Sequence, residues 1–260
     1  VIVGNGPAGV AAAEAIRRHD EDGDIRIVGG EDVGFYSRPG LAYMLTGAIP
    51  EQRLFSRPKS DYERARIQRT VGTVREIEPG SHRIELAHGQ VLRYDRLLLA
   101  VGARAVRPAL PGIDLQGVVT MDNLEDTRHI RRLARRARRA CVVGGGITAI
   151  ELAEGLAAHG VETHYLMRGD RYWGSVLDPH ESALVEERLA EDGIRIHRGV
   201  ELAGVIGRKD RLCAVETTDG AKLACDILAV AIGTQPRLEL AHQAGLETGR
   251  GIWTDVTFRT

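Results

Sequence analysis

The chain opens with an apolar run that changes into a helical pattern within a few residues. Residues 1–3 predict a buried strand, and residues 7–19 predict a helix with one apolar face. Between them Gly4, Gly6 and Gly9 follow the spacing G-x-G-x-x-G. At a strand-to-helix turn this spacing predicts a tight bend, close approach of the backbone to a pyrophosphate, and close packing of helix on strand. The helix start then directs unpaired N–H groups and its positive end at phosphates.

A second apolar strand, residues 25–28, ends in two glycines and Glu31. In a dinucleotide-binding unit an acidic residue near this distance accepts hydrogen bonds from a ribose hydroxyl. Glu31 is therefore the candidate ribose ligand of the first unit. The alternative interpretation is a glycine-rich turn in an ordinary α/β protein.

The opening pattern occurs a second time. Residues 141–149 again combine an apolar strand, a glycine turn and a helix start, and residues 161–166 predict the strand that follows that helix. A second pair of segments, 94–102 and 225–233, shares an aspartate, an apolar strand and Ala-x-Gly. Two motifs, each present twice in the same order, predict two related nucleotide-binding units.

The segments between these motifs predict shorter elements. A loop from residue 32 leads into a short helix that ends near residue 47, and residues 62–69 and 123–137 predict further helices. A helix from Asp178 to about Asp192 is also predicted. Predicted strands cover residues 71–74, 83–86, 90–93, 195–197, 203–207, 213–217 and 222–224. The helix at 123–137 carries many arginines without interleaved aromatic residues, which favours a solvated face over a nucleic-acid site.

Composition narrows the functional classes. The 260 residues are 43% hydrophobic, enough for a substantial core in one or two domains. A net charge of −1 gives no overall electrostatic field that favours nucleic acid or a membrane, and an aromatic content of 4% leaves few surfaces on which bases could stack. The cysteines Cys141, Cys213 and Cys225 and the nine histidines show no metal-ligand spacing. With no apolar run long enough to span a bilayer, these features predict a cytoplasmic protein without a metal site.

Together the motifs resemble the FAD-dependent pyridine nucleotide oxidoreductases, nearest the flavin reductases of the ferredoxin, rubredoxin and nitrite reductase type. The resemblance implies an α/β fold with two Rossmann-like βαβ domains, the second inserted in the first, and a small antiparallel β element in each. The implied boundaries are 1–114 for the first segment of the FAD domain, 115–236 for the NAD(P) domain and 237–260 for the return to the FAD domain. In the family a flavin-contacting Ala-x-Gly-Asp segment and a dimerisation domain follow, so we expect a longer enzyme that forms homodimers.

The resemblance also implies the site residues, with FAD at the first glycine loop and NAD(P)H at the second. The residues implied for FAD are Gly4, Gly6, Pro7, Ala8, Gly9, Glu31, Arg38, Val74, Ala100, Val101 and Gly102. Those implied for the nicotinamide nucleotide are Gly144, Gly146, Ile147, Ala149, Arg168, Arg171 and Gly233. Residues 35–41, which include Arg38, resemble the loop that passes close to the flavin, and Val74 would offer its backbone to the adenine.

Two departures from the family concern the chemistry. Residues 37–46 contain none of the redox cysteines of the disulfide members, so we expect no dithiol relay. Many relatives have a lysine near the flavin where this chain has Tyr43, which leaves Glu151 without its family partner. We take Glu151 and Tyr43 as the candidate catalytic residues; the alternatives are a helix-surface glutamate and a packing tyrosine.

The second unit also indicates the nucleotide. Its second strand is followed by Arg168 and then Arg171, where an NAD-preferring unit would usually present a carboxylate. Guanidinium groups suit phosphate oxygens, so these arginines favour NADPH over NADH. The alternative is that both are ordinary surface residues, which leaves an NADH enzyme, or one indifferent to the phosphate, open.

The leading functional hypothesis is an NAD(P)H-dependent flavoprotein reductase that passes electrons to a protein redox partner. The cofactors supply the chemistry, which is hydride transfer from nicotinamide to flavin and then electron transfer onward. A second hypothesis is an NAD(P)H oxidase with oxygen as the acceptor. A third, from a different class, is a nucleotide-binding regulatory flavoprotein with little turnover.

Overall fold

The computed structural model describes residues 1–260, which form 19 strands and seven α-helices. The strands are β1 Ile2–Val3, β2 Ile25–Gly29, β3 Phe35–Tyr36, β4 Phe55–Arg57, β5 Ile67–Val71, β6 Val74–Glu78, β7 Arg83–Leu86, β8 Val91–Arg93, β9 Leu98–Leu99, β10 Ala103–Ala105, β11 Val118–Val119, β12 Arg139–Val143, β13 Glu162–Met167, β14 Arg195–Arg198, β15 Leu202–Arg208, β16 Arg211–Thr217, β17 Lys222–Ala224, β18 Ile227–Val230 and β19 Thr234–Pro236. The helices are α1 Pro7–His19, α2 Gly40–Thr46, α3 Lys59–Arg64, α4 Leu124–Ala134, α5 Ile147–Ala158, α6 Pro179–Glu191 and α7 Glu239–Gln243. None of these helices has both the length and the apolar character needed to cross a bilayer.

The chain divides into two compact units. The first unit contains Val1–Ser37, Phe55–Arg104 and Pro236–Thr260, and the second contains Arg38–Leu54 and Ala105–Gln235. The chain thus leaves the first unit and later returns to it, the connectivity expected of one domain inserted in another.

The division differs from the implied boundaries at two places, because residues 105–114 and Arg38–Leu54 belong to the second unit. Helix α2 packs on α5: a Cβ added to Gly155 would meet the side chain of Leu45 at 2.4 Å. A ring nitrogen of His159 also lies 2.9 Å from the carbonyl oxygen of Leu45. The sequence pattern of a short amphipathic helix does not reveal which of two cores it joins.

The first unit is built on a parallel sheet with strand order β5-β2-β1-β9. An antiparallel sheet, β6-β7-β8, packs Ile84 and Leu86 into one apolar cluster with Val3 and Val28 of the parallel sheet. Helix α7 returns to this small sheet, since the Gln243 side chain both accepts a hydrogen bond from the Ile77 N–H and donates one to the Ile77 carbonyl. This contact places the last segment of the chain in the first unit.

The second unit repeats this plan. Its parallel sheet has the order β11-β18-β12-β13-β14, and a three-stranded antiparallel sheet, β15-β16-β17, accompanies it. In both units the strand before the glycine loop lies between the next strand of the chain and the strand of the Ala-x-Gly segment. Both sheets therefore have the core order of a Rossmann fold.

The predicted helix at 62–69 is wrong in its second half. Helix α3 ends at Arg64, and the φ of Arg66 is +53°, a left-handed conformation that stops a helix. Ile67 then begins β5 and pairs in parallel with Ile25 of β2. The error arose because five residues of strand follow the helix with no proline or glycine between them.

Candidate functional site

The three glycines of the first loop have two different roles. Gly4 has a φ of +120°, and a Cβ there would lie 2.1 Å from the carbonyl oxygen of Ala100. A Cβ on Gly9 would lie 2.0 Å from the carbonyl oxygen of Gly4. The fold itself therefore requires glycine at both positions. A Cβ on Gly6 would meet no heavy atom within 4 Å, and its backbone is extended, so the fold leaves open space at this glycine.

The second glycine loop has nearly the same geometry. Gly144 has a φ of +152°, and a Cβ there would lie 2.2 Å from the carbonyl oxygen of Ala231. Gly146, like Gly6, has open space where a Cβ would stand. Ala149 replaces the third glycine and is completely buried, with its Cβ 3.1 Å from the position of a Cβ on Gly144. A methyl group is thus accommodated where the first loop has none.

The two Ala-x-Gly segments adjoin the glycine loops in the same way. The Ala100 N–H donates to the Val3 carbonyl at 2.8 Å, and the Ala231 N–H donates to the Val143 carbonyl at 2.8 Å. Gly102 and Gly233 both have positive φ, +66° and +128°. The predicted sequence repeat is therefore also a repeat of backbone contacts.

Helices α1 and α5, which follow the glycine loops, begin without side-chain caps. Neither has an acidic residue in its first turn. In contrast, the Asn123 side chain caps α4, and Asp178 and Glu181 form a capping box at α6. The uncapped N–H groups and positive ends of α1 and α5 suit a phosphate group. Because the glycine before each helix also leaves open space, the residues fit two phosphate-bearing ligands.

Glu31 lies just beyond the end of β2, and the hydroxyl of Tyr36 hydrogen-bonds its carboxylate at 3.0 and 3.2 Å. Asn5, inside the glycine motif, accepts a hydrogen bond from the Tyr62 hydroxyl at 2.7 Å and donates one to the Val33 carbonyl at 3.2 Å. Sequence reasoning missed these roles of Tyr36, Asn5 and Tyr62. The position of Asn5 inside the motif was the only local signal.

The remaining residues implied for FAD differ in position. Pro7 and Ala8 are exposed at the start of α1. Val74 is buried at the start of β6, and the preceding turn is tied to β2 because the Gly72 N–H donates to the Gly29 carbonyl at 2.8 Å. Val101 is half-buried between Ala100 and Gly102. All of these residues belong to the first unit.

Arg38 and Tyr43, by contrast, belong to the second unit. The guanidinium of Arg38 donates a hydrogen bond to the carbonyl oxygen of Asp122. Tyr43 is 60% exposed on α2, whereas its neighbours Ala42 and Met44 are buried. Tyr43 therefore faces away from the core that α2 helps to build.

Glu151 lies half-buried on α5, in the second turn after the glycine loop. Burial raises the pKa of its carboxyl, and the neighbouring Glu154 raises it further. Burial also raises the pKa of Tyr172 to about 12, with added contributions from both glutamates. The structure thus places Glu151 in an acidic cluster with Glu154 and Tyr172, two residues that sequence reasoning did not select.

The two arginines after β13 differ in their environment. Arg168 is exposed directly after the last residue of β13. Arg171 is engaged within its own loop, where it donates to the Gly174 carbonyl at 3.1 Å and lies 3.6 Å from a carboxylate oxygen of Asp170. Met167, the last residue of β13, is 1% exposed in the core. Arg168 is therefore the residue of this strand end that is free to meet a ligand.

The structure brings two of the three cysteines together. Cys141 on β12 and Cys225 before β18 are both buried in one apolar cluster, as free thiols. Their mutual hydrogen bond, with burial added, raises the pKa of the Cys225 thiol well above its usual range. Cys213 is exposed on β16. All three belong to the second unit, and none lies in the first glycine loop.

Comparison with known proteins identifies the class to which this fold and site belong. The family model of the pyridine nucleotide-disulphide oxidoreductases matches residues 1–260. The chain is 32% identical over 262 residues to a rubredoxin–NAD(+) reductase of Pseudomonas putida, covering 100% of this chain and 68% of that protein. The chain belongs to the pyridine nucleotide-disulphide oxidoreductase family.

Solved structures extend the comparison to the backbone. The chain is similar to the ferredoxin reductase for the CYP199A2 system of Rhodopseudomonas palustris, with a TM-score of 0.88 and 30% identity over 96% of this chain. It is also similar to a chain of the covalent putidaredoxin reductase–putidaredoxin complex, with a TM-score of 0.87 and 31% identity over 96% of this chain. It spans 62% of each of those two chains.

These findings confirm the predicted fold class and the predicted enzyme class, an FAD-dependent pyridine nucleotide oxidoreductase. They do not test the roles of individual residues, so the cofactor ligands and catalytic residues stay predictions.

Proposed function

We propose that the protein is an FAD-dependent NAD(P)H reductase that passes electrons to a small protein acceptor. The observation that supports this most strongly is the duplicated phosphate cradle. Each unit presents an uncapped helix start, no first-turn acid and a glycine with open space beside it. One cradle would hold the pyrophosphate of FAD and the other that of the nicotinamide nucleotide.

We assign FAD to the first unit because an acid stands at the end of its second strand. Glu31 is positioned by the Tyr36 hydroxyl and would accept hydrogen bonds from the ribose hydroxyls of the adenosine. Gly6 would let the pyrophosphate approach the backbone. The segment from Ala100 to Gly102 adjoins the same turn and would line the site.

We assign NADPH to the second unit because an arginine stands at the equivalent strand end. Arg168 is exposed directly after β13, where a carboxylate would repel a 2′-phosphate and a guanidinium would bind it. Gly146 and Ile147 would lie against the pyrophosphate at the start of α5. The opposite charges of Glu31 and Arg168 at corresponding strand ends therefore support different adenosine ligands in the two units.

The two bound groups would supply hydride transfer from nicotinamide to flavin. The protein's residues would orient the rings and set the charge around them. Glu151 is the proposed acidic group of the site, because a half-buried carboxylate with a raised pKa is typical of functional positions. Tyr43 would occupy the position of the family lysine, and Arg38 would line the flavin loop. Both of these roles rest on resemblance alone.

The proposed acceptor is a ferredoxin- or rubredoxin-like protein, because the relatives are named as reductases of such partners. Steady-state oxidation of NADPH by the full-length protein, with and without an artificial acceptor such as ferricyanide, tests this proposal. Rapid oxidation only with the acceptor supports a reductase. Rapid oxidation without it indicates an oxidase that uses oxygen, and slow oxidation in both indicates a regulatory flavoprotein.

A cytoplasmic location and a homodimer also stay proposals. The location derives from the composition of the sequence, and the homodimer derives from the family resemblance. Cell fractionation and the solution mass of the full-length protein would test them.

A further inference from the structure

The loop between β13 and α6, residues 168–177, carries Arg168 and Arg171 and is bound to α6 at Tyr172. The Tyr172 N–H donates to a carboxylate oxygen of Glu186 at 2.6 Å. The Tyr172 carbonyl accepts a hydrogen bond from the Ser182 hydroxyl at 2.7 Å. Ser182 and Glu186 are one turn apart on α6, so they lie on one face of that helix. Both polar groups of the Tyr172 backbone are thus bound from a single helix face.

Glu186 has a second partner. Its other carboxylate oxygen accepts a hydrogen bond from the Nε of Arg198 at 2.8 Å, and a second Arg198 nitrogen also contacts it. Arg198 is the last residue of β14 and pairs in register with Met167, the last residue of β13. Glu186 is 7% exposed, so leaving either oxygen without a partner would carry a large desolvation cost. This buried carboxylate therefore connects α6, the loop and the end of the sheet.

Next to Arg168, one further backbone contact ties the loop to the sheet: the Gly169 carbonyl accepts a hydrogen bond from the Gly199 N–H at 3.0 Å. Arg168 is exposed beside this contact, and Gly174 gives the far end of the loop conformational freedom. A ligand contact from a mobile loop loses affinity, because the loop must be ordered when the ligand binds. A loop that is already fixed at Tyr172 presents its arginines without that cost.

We propose that Glu186 is a positioning residue for nucleotide choice. It fixes the loop at Tyr172 so that Arg168 stands ready for the 2′-phosphate of NADPH. This inference rests on the proposed NADPH site. Glu186 itself contacts neither FAD nor NADPH in this proposal. Its effect is specific to the 2′-phosphate, because that is the group of NADPH that the loop meets.

Calorimetric binding of two small probes to the FAD-loaded, full-length protein tests the inference. The probes are 2′,5′-ADP, which carries the 2′-phosphate, and 5′-AMP, which lacks it. The Glu186→Gln variant keeps the size of the side chain but loses the charge that holds Tyr172 and Arg198. We expect it to weaken 2′,5′-ADP binding by about tenfold and 5′-AMP binding by less than about twofold.

Glu187→Gln is the matched control, because Glu187 is the exposed neighbour on the same helix and undergoes the same chemical change. We expect it to bind both probes like the wild type. Ser182→Ala removes the other hydrogen bond to Tyr172 and leaves the ion pair of Glu186 intact. It should also weaken 2′,5′-ADP binding more than 5′-AMP binding, by a smaller factor than Glu186→Gln does. It provides the test if Glu186→Gln does not fold.

Two results would overturn the inference. One is equal weakening of both probes in Glu186→Gln or Ser182→Ala, which would indicate a general structural role. The other is 2′,5′-ADP binding as tight in Glu186→Gln as in Glu187→Gln. Failure of the proposed NADPH site can be distinguished from failure of this inference. In that case the wild-type protein itself would bind 2′,5′-ADP no better than 5′-AMP. That result would remove the inference together with the site.

Discussion

Substitution of Gly6 by valine separates the binding of FAD from the folding of the first unit. The backbone of Gly6 is extended, with φ −90° and ψ −174°, and no heavy atom lies within 4 Å of its Cβ position. A valine side chain therefore fits the protein. The same side chain fills the space through which a pyrophosphate would approach the start of α1.

The expected cost of Gly6→Val to the free energy of folding is smaller than its expected cost to the free energy of FAD binding. Replacing glycine at a helix N-cap by an apolar residue costs about 1 kcal/mol. Reduced freedom of the unfolded chain offsets about 0.4–1 kcal/mol of that cost. A hydrogen bond from a backbone N–H to a charged phosphate contributes about 1.5–3 kcal/mol. The loss of even one such bond should weaken FAD binding by about ten- to a hundredfold.

The assay is the FAD content of the purified full-length protein, followed by titration of the apoprotein with FAD and a thermal melt. Gly80→Val is the matched control, since Gly80 lies in the same unit and also has open space at its Cβ position. Gly4→Ala is the opposite control. The backbone of Gly4 has a φ of +120°, and the added Cβ would lie 2.1 Å from the Ala100 carbonyl oxygen. Gly4→Ala should therefore destabilise the fold by at least about 1–3 kcal/mol. A folded Gly6→Val protein that holds FAD as tightly as Gly80→Val would refute the reasoning.

Three further predictions concern the second unit. Arg168→Ala should weaken NADPH binding by about ten- to a hundredfold and NADH binding little, because a charge-assisted contact to the 2′-phosphate contributes about 1.5–3 kcal/mol. The kinetics of flavin reduction with each nucleotide test this, and equal losses with NADPH and NADH would contradict it. Because the pKa of Glu151 is raised above its usual 4.5, its carboxyl contributes stability below pH 4.5 that is lost as pH rises through the folded-state pKa. Glu151→Gln should therefore raise the melting temperature at pH 7 and not at pH 4, and slow flavin reduction; a variant no more stable at pH 7 than the wild type would argue against a desolvated carboxylate. Replacing Cys141, Cys213 and Cys225 by alanine should leave flavin reduction by NADPH intact while lowering stability, since two of the thiols are buried; a folded triple variant that no longer reduces its flavin would reveal a redox thiol.

The parts of the fold and site that could be predicted depend on residues close together in sequence. A strand, a turn with fixed glycine spacing and a helix form within about a dozen residues, so Gly4, Gly6 and Gly9 were sufficient to place the first cradle. The internal repeat then located the second cradle at Gly144 and Gly146. The capped helix α6 was also predictable, because its capping residue and first turn are adjacent.

The parts that could not be predicted depend on contacts between residues that lie far apart in the sequence. The strand β5 follows α3 directly, and only its pairing with Ile25 of β2 makes it a strand. Helix α2 joins the second unit through Leu45 and Gly155, which are far apart along the chain. The roles of Glu186 and Tyr172 likewise need the tertiary structure, since a glutamate on an amphipathic helix is usually exposed.

The measurement that tests the central claim most directly is an anaerobic titration of the FAD-loaded, full-length protein with NADPH, followed by the flavin absorbance. We predict complete bleaching of the oxidised flavin at about one NADPH per FAD. Gly146→Val should retain its FAD and need a large excess of NADPH, because the substitution fills only the second cradle. A wild-type flavin that stays oxidised in excess NADPH and in excess NADH would contradict the account.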